Sequence, residues 1–310
     1  MPRLSILFLG LLGLGSQLSA AQLVGKLPGD VTVTNTGSAV YTMPISMPPG
    51  IAGMAPELGI AYDSSSGNGL LGMGFSLYGL SAITRTPTTL EQDEITDGID
   101  FDMYDPQDPT AQGYDRFALD GQRLVCVSGD YGFAGSEYRT EIDSFARVTA
   151  VGSSNKGPDY FIVETKSGLK KTYGQTNSAS LVYNKFLHPD YGTKVTWLLN
   201  KIEDTNGNVI NYNYASSIYS EMKYISEISY GSPGHLLKAV MEYGSRDDDI
   251  PSYLHGVDFK TTRRLEMIRI YSGSTELYNY TLTYDTSPQR PFSRLREIKY
   301  TDVATGDWME

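Results

Sequence analysis

The feature that most constrains this chain is a recurring two-residue alternation that puts tyrosines on one side and Asn or Thr on the other. In 278–284, Tyr278, Tyr280, Leu282 and Tyr284 share one face, and Asn279, Thr281 and Thr283 share the other. The same pattern returns in Ile210-Asn211-Tyr212-Asn213-Tyr214. Successive side chains of a strand point to opposite faces, so such text describes strands with one buried and one solvated face. Apolar spacing at i, i+3, i+4 and i+7, the mark of an amphipathic helix, is not sustained anywhere in the chain. The 310 residues include 32 Gly and 23 Tyr but only 2 Trp. Turn formers and aromatics at those levels favour strands and turns. The fold class expected is all-β: an extended antiparallel sheet of stacked hairpins.

Several hairpins are legible. Residues 195–202 run out, Asp204-Thr205-Asn206-Gly207-Asn208 turns, and 209–214 returns. Asn206-Gly207 predicts a type I′ turn, which needs positive φ at both central residues. Related units are Ser167–Gly174, a pair of strands around Ser272-Gly273-Ser274, and a strand over 295–300 leading toward Thr305-Gly306. Each combines an apolar outgoing strand, a glycine turn and a return rich in tyrosine. A lone hairpin cannot bury a face, so these units imply stacking into a larger sheet.

At the start, Arg3, an apolar stretch over 4–15 and Ser19-Ala20-Ala21 read as an export signal cleaved before Gln22. Twelve apolar residues fall short of the roughly twenty needed to span a bilayer. The domain plan expected is therefore a signal peptide at 1–21 and one β-rich domain at 22–310, secreted or displayed at the periplasm or cell surface, with no stable membrane insertion. At the other end, residues 302–310 follow a strand without a cap, as in the front part of a longer design. The single cysteine, Cys126, excludes a disulfide framework and sits in apolar Leu124-Val125-Cys126-Val127, which predicts a core thiol.

A net charge of −11 argues against nucleic-acid binding, which needs a basic face to displace phosphate counterions. Eight carboxylates, Glu91, Asp93, Glu94, Asp97, Asp100, Asp102, Asp105 and Asp108, lie within one short stretch. Oxygen-rich clusters suit Ca²⁺, but the spacing lacks the EF-hand order, and a solvated acidic loop is the expectation. Gly72-Met73-Gly74 is followed by Leu77 where a dinucleotide fingerprint needs glycine, and 74–79 misses the nucleophile elbow by one residue. Close backbone packing explains these glycines better. His188, His235 and His255 have no evident partners. The residues thus offer no catalytic, cofactor-binding or metal-binding set.

Specific text then becomes recognisable. Pro56-Glu57-Leu58-Gly59-Ile60-Ala61-Tyr62-Asp63-Ser64, then Gly69-Leu70-Leu71-Gly72-Met73-Gly74-Phe75-Ser76-Leu77 with Ile83-Thr84-Arg85, resemble the opening of SpvB-type proteins. Trp197-Leu198-Leu199-Asn200-Lys201-Ile202-Glu203-Asp204-Thr205-Asn206-Gly207-Asn208, closed by Tyr212-Asn213-Tyr214, resembles a later segment of the same family. Phe75 stands where many relatives have tryptophan. The family is the N-terminal region shared by the Salmonella virulence-plasmid B protein and the B components of insecticidal toxin complexes, commonly followed by FG-GAP-like and Rhs/YD repeats. The resemblance implies a non-catalytic β-scaffold that helps build a shell around a toxic cargo, with other toxin-complex or Rhs-type subunits or downstream repeats as partners. The alternative is a secreted hydrolase of surface glycans using paired carboxylates, for which Asp100, Asp102 and Asp105 are candidates only by crowding.

Overall fold

The computed structural model describes residues 26–99, 101, 115–154, 156–183, 191–217, 220–232, 234–254, 257–285 and 292–310. The segment read as an export signal lies outside them, as do Asp100, Asp102, Asp105, Asp108, His188 and His255. The fold is nearly all β, as the alternation predicts.

The first strands are β1 (Asp30–Val33), β2 (Ala39–Pro44), β3 (Gly59–Asp63), a tiny hairpin of β4 (Asn68–Gly69) and β5 (Gly72–Met73), and β6 (Phe75–Tyr78). Strands β1-β2-β3-β6 make a four-stranded antiparallel sheet.

Next come β7 (Ala82–Thr86), β8 (Arg116–Leu119), β9 (Gln122–Ser128), β10 (Glu137–Thr140) and β11 (Arg147–Ser154). They are followed by β12 (Gly157–Glu164), β13 (Lys170–Tyr173), β14 (Ser180–Val182) and β15 (Lys194–Glu203). Strands β7 to β13 pair in sequence, and β15 then pairs with both β7 and β13. Those two partners lie on opposite sides of β15, because the Leu198 carbonyl accepts from Gly174 N while the Leu199 amide donates to Ser81 O. The eight strands therefore close into a barrel, where the sequence predicted only an extended sheet. Closure has a physical reason: twist accumulates across a long sheet and curls it, and eight strands leave an interior that side chains can fill.

The filling is aromatic. Phe117, Tyr138, Phe161 and Trp197 are fully buried. Phe117 and Phe161 meet the Trp197 ring edge-to-face at 5.4 and 5.1 Å. Trp197 Nε1 donates to the Pro158 carbonyl at 3.1 Å, so the polar atom is not stranded. Arg85 enters the same interior with no exposed side-chain surface. It bonds Asp115 at 2.8 Å, donates to the Lys194 and Lys156 carbonyls, and lies within 6 Å of Phe117 and Trp197.

From β15 an open sheet extends: β16 (Val209–Ser217), β17 (Ser220–Ser232), β18 (His235–Ile250), β21 (Thr261–Ser272), β22 (Thr275–Asp285), β23 (Arg294–Asp302) and β24 (Trp308–Met309). A small ribbon of β19 (Tyr253–Leu254) and β20 (Val257–Asp258) branches from it. Its inner face presents Ile210, Tyr212, Ile228, Tyr230, Ala239, Ile268, Tyr280 and Leu282, all buried. The four-stranded sheet packs against that face. Tyr230 Oη donates to the Pro48 carbonyl at 2.7 Å, and Tyr278 Oη donates to Ser46 O at 3.0 Å. Burial pushes Tyr280 up to about 12.

The 204–208 hairpin is present, but its turn differs from the prediction. Gly207 has φ +82°, Asn206 is not left-handed, and Gly207 N donates to Asp204 O while Asp204 N donates to Asn208 O. This is a type I turn with glycine in the left-handed position. Asp204 Oδ1 accepts from the Asn206 and Asn208 amides, which satisfies the tight loop. Thr34–Ser38 and Thr165–Leu169 close the same way, with Gly37 and Gly168 left-handed. Cys126 also departs from expectation. It is half-buried against the core, flanked by exposed Val125 and Val127, because the alternation sends only every second residue inward.

Truncating Trp197 to Ala should destabilise the fold by about 3–5 kcal/mol, since it empties the centre of the barrel. Urea unfolding followed by far-UV circular dichroism checks this, and a loss under about 1 kcal/mol would show that the barrel interior collapses to refill the space.

Candidate functional site

A cleft opens between the barrel and the loop after β2. Its volume is about 560 Å³, and its polar lining includes Glu57, Ser81, Asp120, Lys171 and Asp204. Two of its carboxylates are occupied by structural duties. Asp120 accepts from Ser81 Oγ at 2.7 Å and from the Ala82 amide at 2.9 Å, while Ser81 Oγ also meets Tyr173 Oη at 2.9 Å. Asp204 holds its own turn, and hydrogen bonds from the Asn208 side chain and the loop amides keep its carboxyl below the ordinary range. A glycosidase acid needs a carboxyl raised toward neutrality. Asp204 is shifted the other way.

The acidic stretch does not gather into a cation site among the described residues. Asp93 lies at the end of a single helical turn, Leu90–Asp93. It takes Arg116 Nε at 2.7 Å, Arg123 from the neighbouring strand, and the Thr89 amide at 2.8 Å. Burial alone would raise its pKa, but those donors outweigh it and lower it. Glu91, Glu94 and Asp97 are exposed, as a solvated loop predicts.

A second polar centre was invisible in the sequence. Arg246, with no exposed side-chain surface, bonds Asp248 in a fork. It also reaches the Gly69 carbonyl and Asn68 Oδ1, both at 2.9 Å. Asp248 additionally accepts from Asn68 Nδ2, the Ser293 amide and Ser293 Oγ. This network staples the β4–β5 hairpin to the open sheet. Gly72 sits there at φ +86°, and a Cβ on it would come within 2.5 Å of the Ser293 carbonyl, which accepts from the Met73 amide. The glycine-rich segment is thus a close backbone approach, as predicted. The partners lie some 180 residues apart, and the only local signal was glycine spacing.

The third feature is an edge. Strand β23 pairs along its length with β22, but on its other side β24 covers only Tyr300 and Thr301. Residues 294–299 have no strand on that side among the described residues. Beside them lies a cavity of about 210 Å³, where Leu27, Met43, Phe75, Leu295 and Ile298 are bordered by Lys26, Arg296, Glu297 and Glu310.

Comparison with known proteins agrees with this geometry. The family described as Salmonella virulence plasmid 65kDa B protein matches residues 33–264. The chain belongs to the SpvB family. The Mono(ADP-ribosyl)transferase SpvB of Salmonella typhimurium is 26% identical over 215 residues, covering 63% of this chain and 35% of that protein. The chain thus spans about a third of that curated relative. The solved N-terminal domain of effector protein SpvB from Salmonella typhimurium strain LT2 superposes with a TM-score of 0.64 at 19% identity. That match covers 84% of this chain and 99% of the domain. The crystal structure of TcdB2-TccC3 matches 98% of this chain with a TM-score of 0.69 at 19% identity, over 17% of its own length. At such identities the likeness establishes the SpvB-type fold, as the sequence resemblance implied.

The staple sets a pH dependence. Burial pushes the Asp248 carboxyl up, but the Arg246, Ser293 and Asn68 donors outweigh it and hold it well below the carboxylate range. A depressed native pKa contributes stability above the unfolded value of about 4 and loses it as pH falls through the native value. Asp248→Asn should therefore lower stability by about 3–5 kcal/mol at neutral pH, by leaving Arg246 unpaired, and should flatten the acid limb below about pH 4. Urea midpoints measured from neutral to acid pH check both effects.

Proposed function

We propose that this chain is a non-catalytic scaffold module of a toxin-complex-type protein, exported by its first 21 residues, whose open sheet is continued by further strands of a shell that carries or presents a toxin. The observation that carries this reading is the asymmetry of the fold: on one flank of β15 the strands close into a barrel filled with aromatic side chains, and on the other they run on as an open antiparallel sheet of hairpins with a buried, tyrosine-rich inner face. The likeness to TcdB2-TccC3 over nearly the whole chain supports it. So does the match to the N-terminal domain of SpvB, since the transferase activity named for SpvB belongs to a protein of which this chain spans about a third. Partners would be other toxin-complex subunits or repeats that add strands. Among the described residues no helix is long and apolar enough to cross a membrane.

The glycan-hydrolase alternative has less support, because Asp120 and Asp204 in the cleft are tied to backbone amides. The purified protein should give no turnover on nucleotide or glycan substrates. Saturable turnover that disappears in Glu57→Gln, Asp120→Asn or Asp204→Asn would overturn the scaffold reading.

A further inference from the structure

The buried tyrosines of this fold engage their hydroxyls, with one exception. Tyr138, Tyr173, Tyr214, Tyr224, Tyr230 and Tyr280 each hydrogen-bond a serine or a backbone group. Tyr212 on β16 is only 3% exposed, yet among the described residues no protein group bonds its hydroxyl. A buried phenol ordinarily finds a partner, so a free one calls for an explanation. Tyr212 lines the cleft of about 560 Å³ beside the barrel, a volume suited to a small organic ligand. Burial raises its phenol far above the ordinary range, and the charge of Glu57 adds to that, so the hydroxyl stays protonated and lies close to the Glu57 carboxylate.

The cleft is rich in acceptors. Glu57 is exposed and makes no side-chain hydrogen bond or ion pair among the described residues. Its backbone is fixed at the wall by Gly79, which is left-handed and has no room for a Cβ against the Glu57 carbonyl. Asp120 takes one donor on each oxygen, from Ser81 and from the Ala82 amide, leaving about two of its four acceptor positions open. Asp204 brings a third carboxylate, and Lys171 is the single cation of the lining. Three carboxylates against one ammonium make the cleft electronegative. Between these groups lie Leu80, Leu169, Ile202 and Ile210, which offer an apolar wall.

We propose that this cleft binds a guanidinium group carried on a short aliphatic stem, the chemistry of an arginine side chain, with Tyr212 Oη and the Glu57 carboxylate accepting from its N–H groups and the stem lying on the leucine and isoleucine wall. The inference goes beyond the scaffold reading and does not rest on it. A planar cation with five donors matches acceptors that arrive from several directions, as Glu57, Asp120, Asp204 and Tyr212 do from separate elements. An anion would meet three carboxylates, and a neutral apolar ligand would leave the Tyr212 hydroxyl as it is.

Calorimetric titration of the full chain tests this with n-butylguanidinium, with arginine blocked at both ends as its N-acetyl methylamide, and with n-butylurea and valerate as neutral and anionic counterparts. The two guanidinium compounds should bind saturably, and the urea and the valerate should not. Tighter binding of the blocked arginine would assign the cleft to an arginine within a partner chain, and tighter binding of n-butylguanidinium to a free small cation. Tyr212→Phe and Glu57→Gln should each weaken guanidinium binding by roughly tenfold or more, the worth of a hydrogen bond to a charged group. Neither should lower the urea midpoint, because neither side-chain polar group has a partner in the folded chain. Tyr214→Phe, which loses the bond to the Leu199 carbonyl, should lower that midpoint and leave the affinity unchanged. No saturation by either guanidinium compound below about 10 mM would overturn the proposal, as would equal binding of the urea or the valerate. So would unchanged affinity in either cleft variant, or a urea midpoint lowered by Tyr212→Phe, which would assign the hydroxyl to the fold.

Discussion

The structure depends on one strand that belongs to two sheets. The first half of β15 is hydrogen-bonded to β7 and β14, and its second half to β13 and β16. A strand has donors and acceptors on two sides only, so serving four neighbours requires the partners to change along its length. That change closes the barrel on one flank and launches the open sheet on the other. In its first half β15 sends Val195, Trp197 and Leu199 inward, and Trp197 stands at the centre of the barrel aromatics. Loss of packing at that strand would disturb both halves, whereas the far edge at β23 touches neither junction.

Tyrosine suits this architecture because it is apolar along its body and polar at its tip. Leucine could fill the inner face of the open sheet equally well, but it could not reach a carbonyl on the neighbouring arm. Bulges at Asn213/Tyr214, Glu242/Tyr243 and Thr283/Tyr284 disturb the ladder of backbone bonds at regular intervals. At each one a hydroxyl supplies a hydrogen bond to the adjacent strand. A bulge bends its strand and increases local twist, so a bulge repeated at the same place in successive hairpins gives the sheet a consistent curvature. Burial holds all three of these phenols neutral far above the ordinary tyrosine range, consistent with groups that donate rather than ionise.

Much of this was legible in the sequence for a simple reason. Period-two alternation and left-handed glycines act over a few residues, so the hairpins around Gly168, Gly207 and Gly273 and the buried faces of 210–214 and 278–284 could be read directly. Barrel closure could not, because nothing local in β7 or β13 says that both meet β15. The Arg246–Asp248–Ser293 staple was hidden for the same reason. Asp93 was misleading in a different way: it sits in a run of like charges without a local cation, yet Arg116 and Arg123 come from strands more than twenty residues away. The turn at Asn206-Gly207 shows the limit of dipeptide signals. Asp204 offered its carboxylate to two loop amides, and that favoured a three-residue loop over the two-residue one.

The recognisable family text marks packing positions rather than reactive ones. Leu58 and Ile60, at the start of β3, are buried, Gly72 admits the Ser293 carbonyl, and Arg85 lies inside the barrel with Asp115. Trp197 fills the barrel, Asp204 and Gly207 shape the turn, and Tyr212 and Tyr214 line the inner face. An enzyme's signature usually contains groups whose chemistry would be wasted in a core, held in a cleft with shifted ionisation. Here each such residue, the Tyr212 hydroxyl apart, is explained by what it touches in the folded chain. The most recognisable residues of the sequence are therefore the ones that build the walls, joints and turns of the SpvB-type fold.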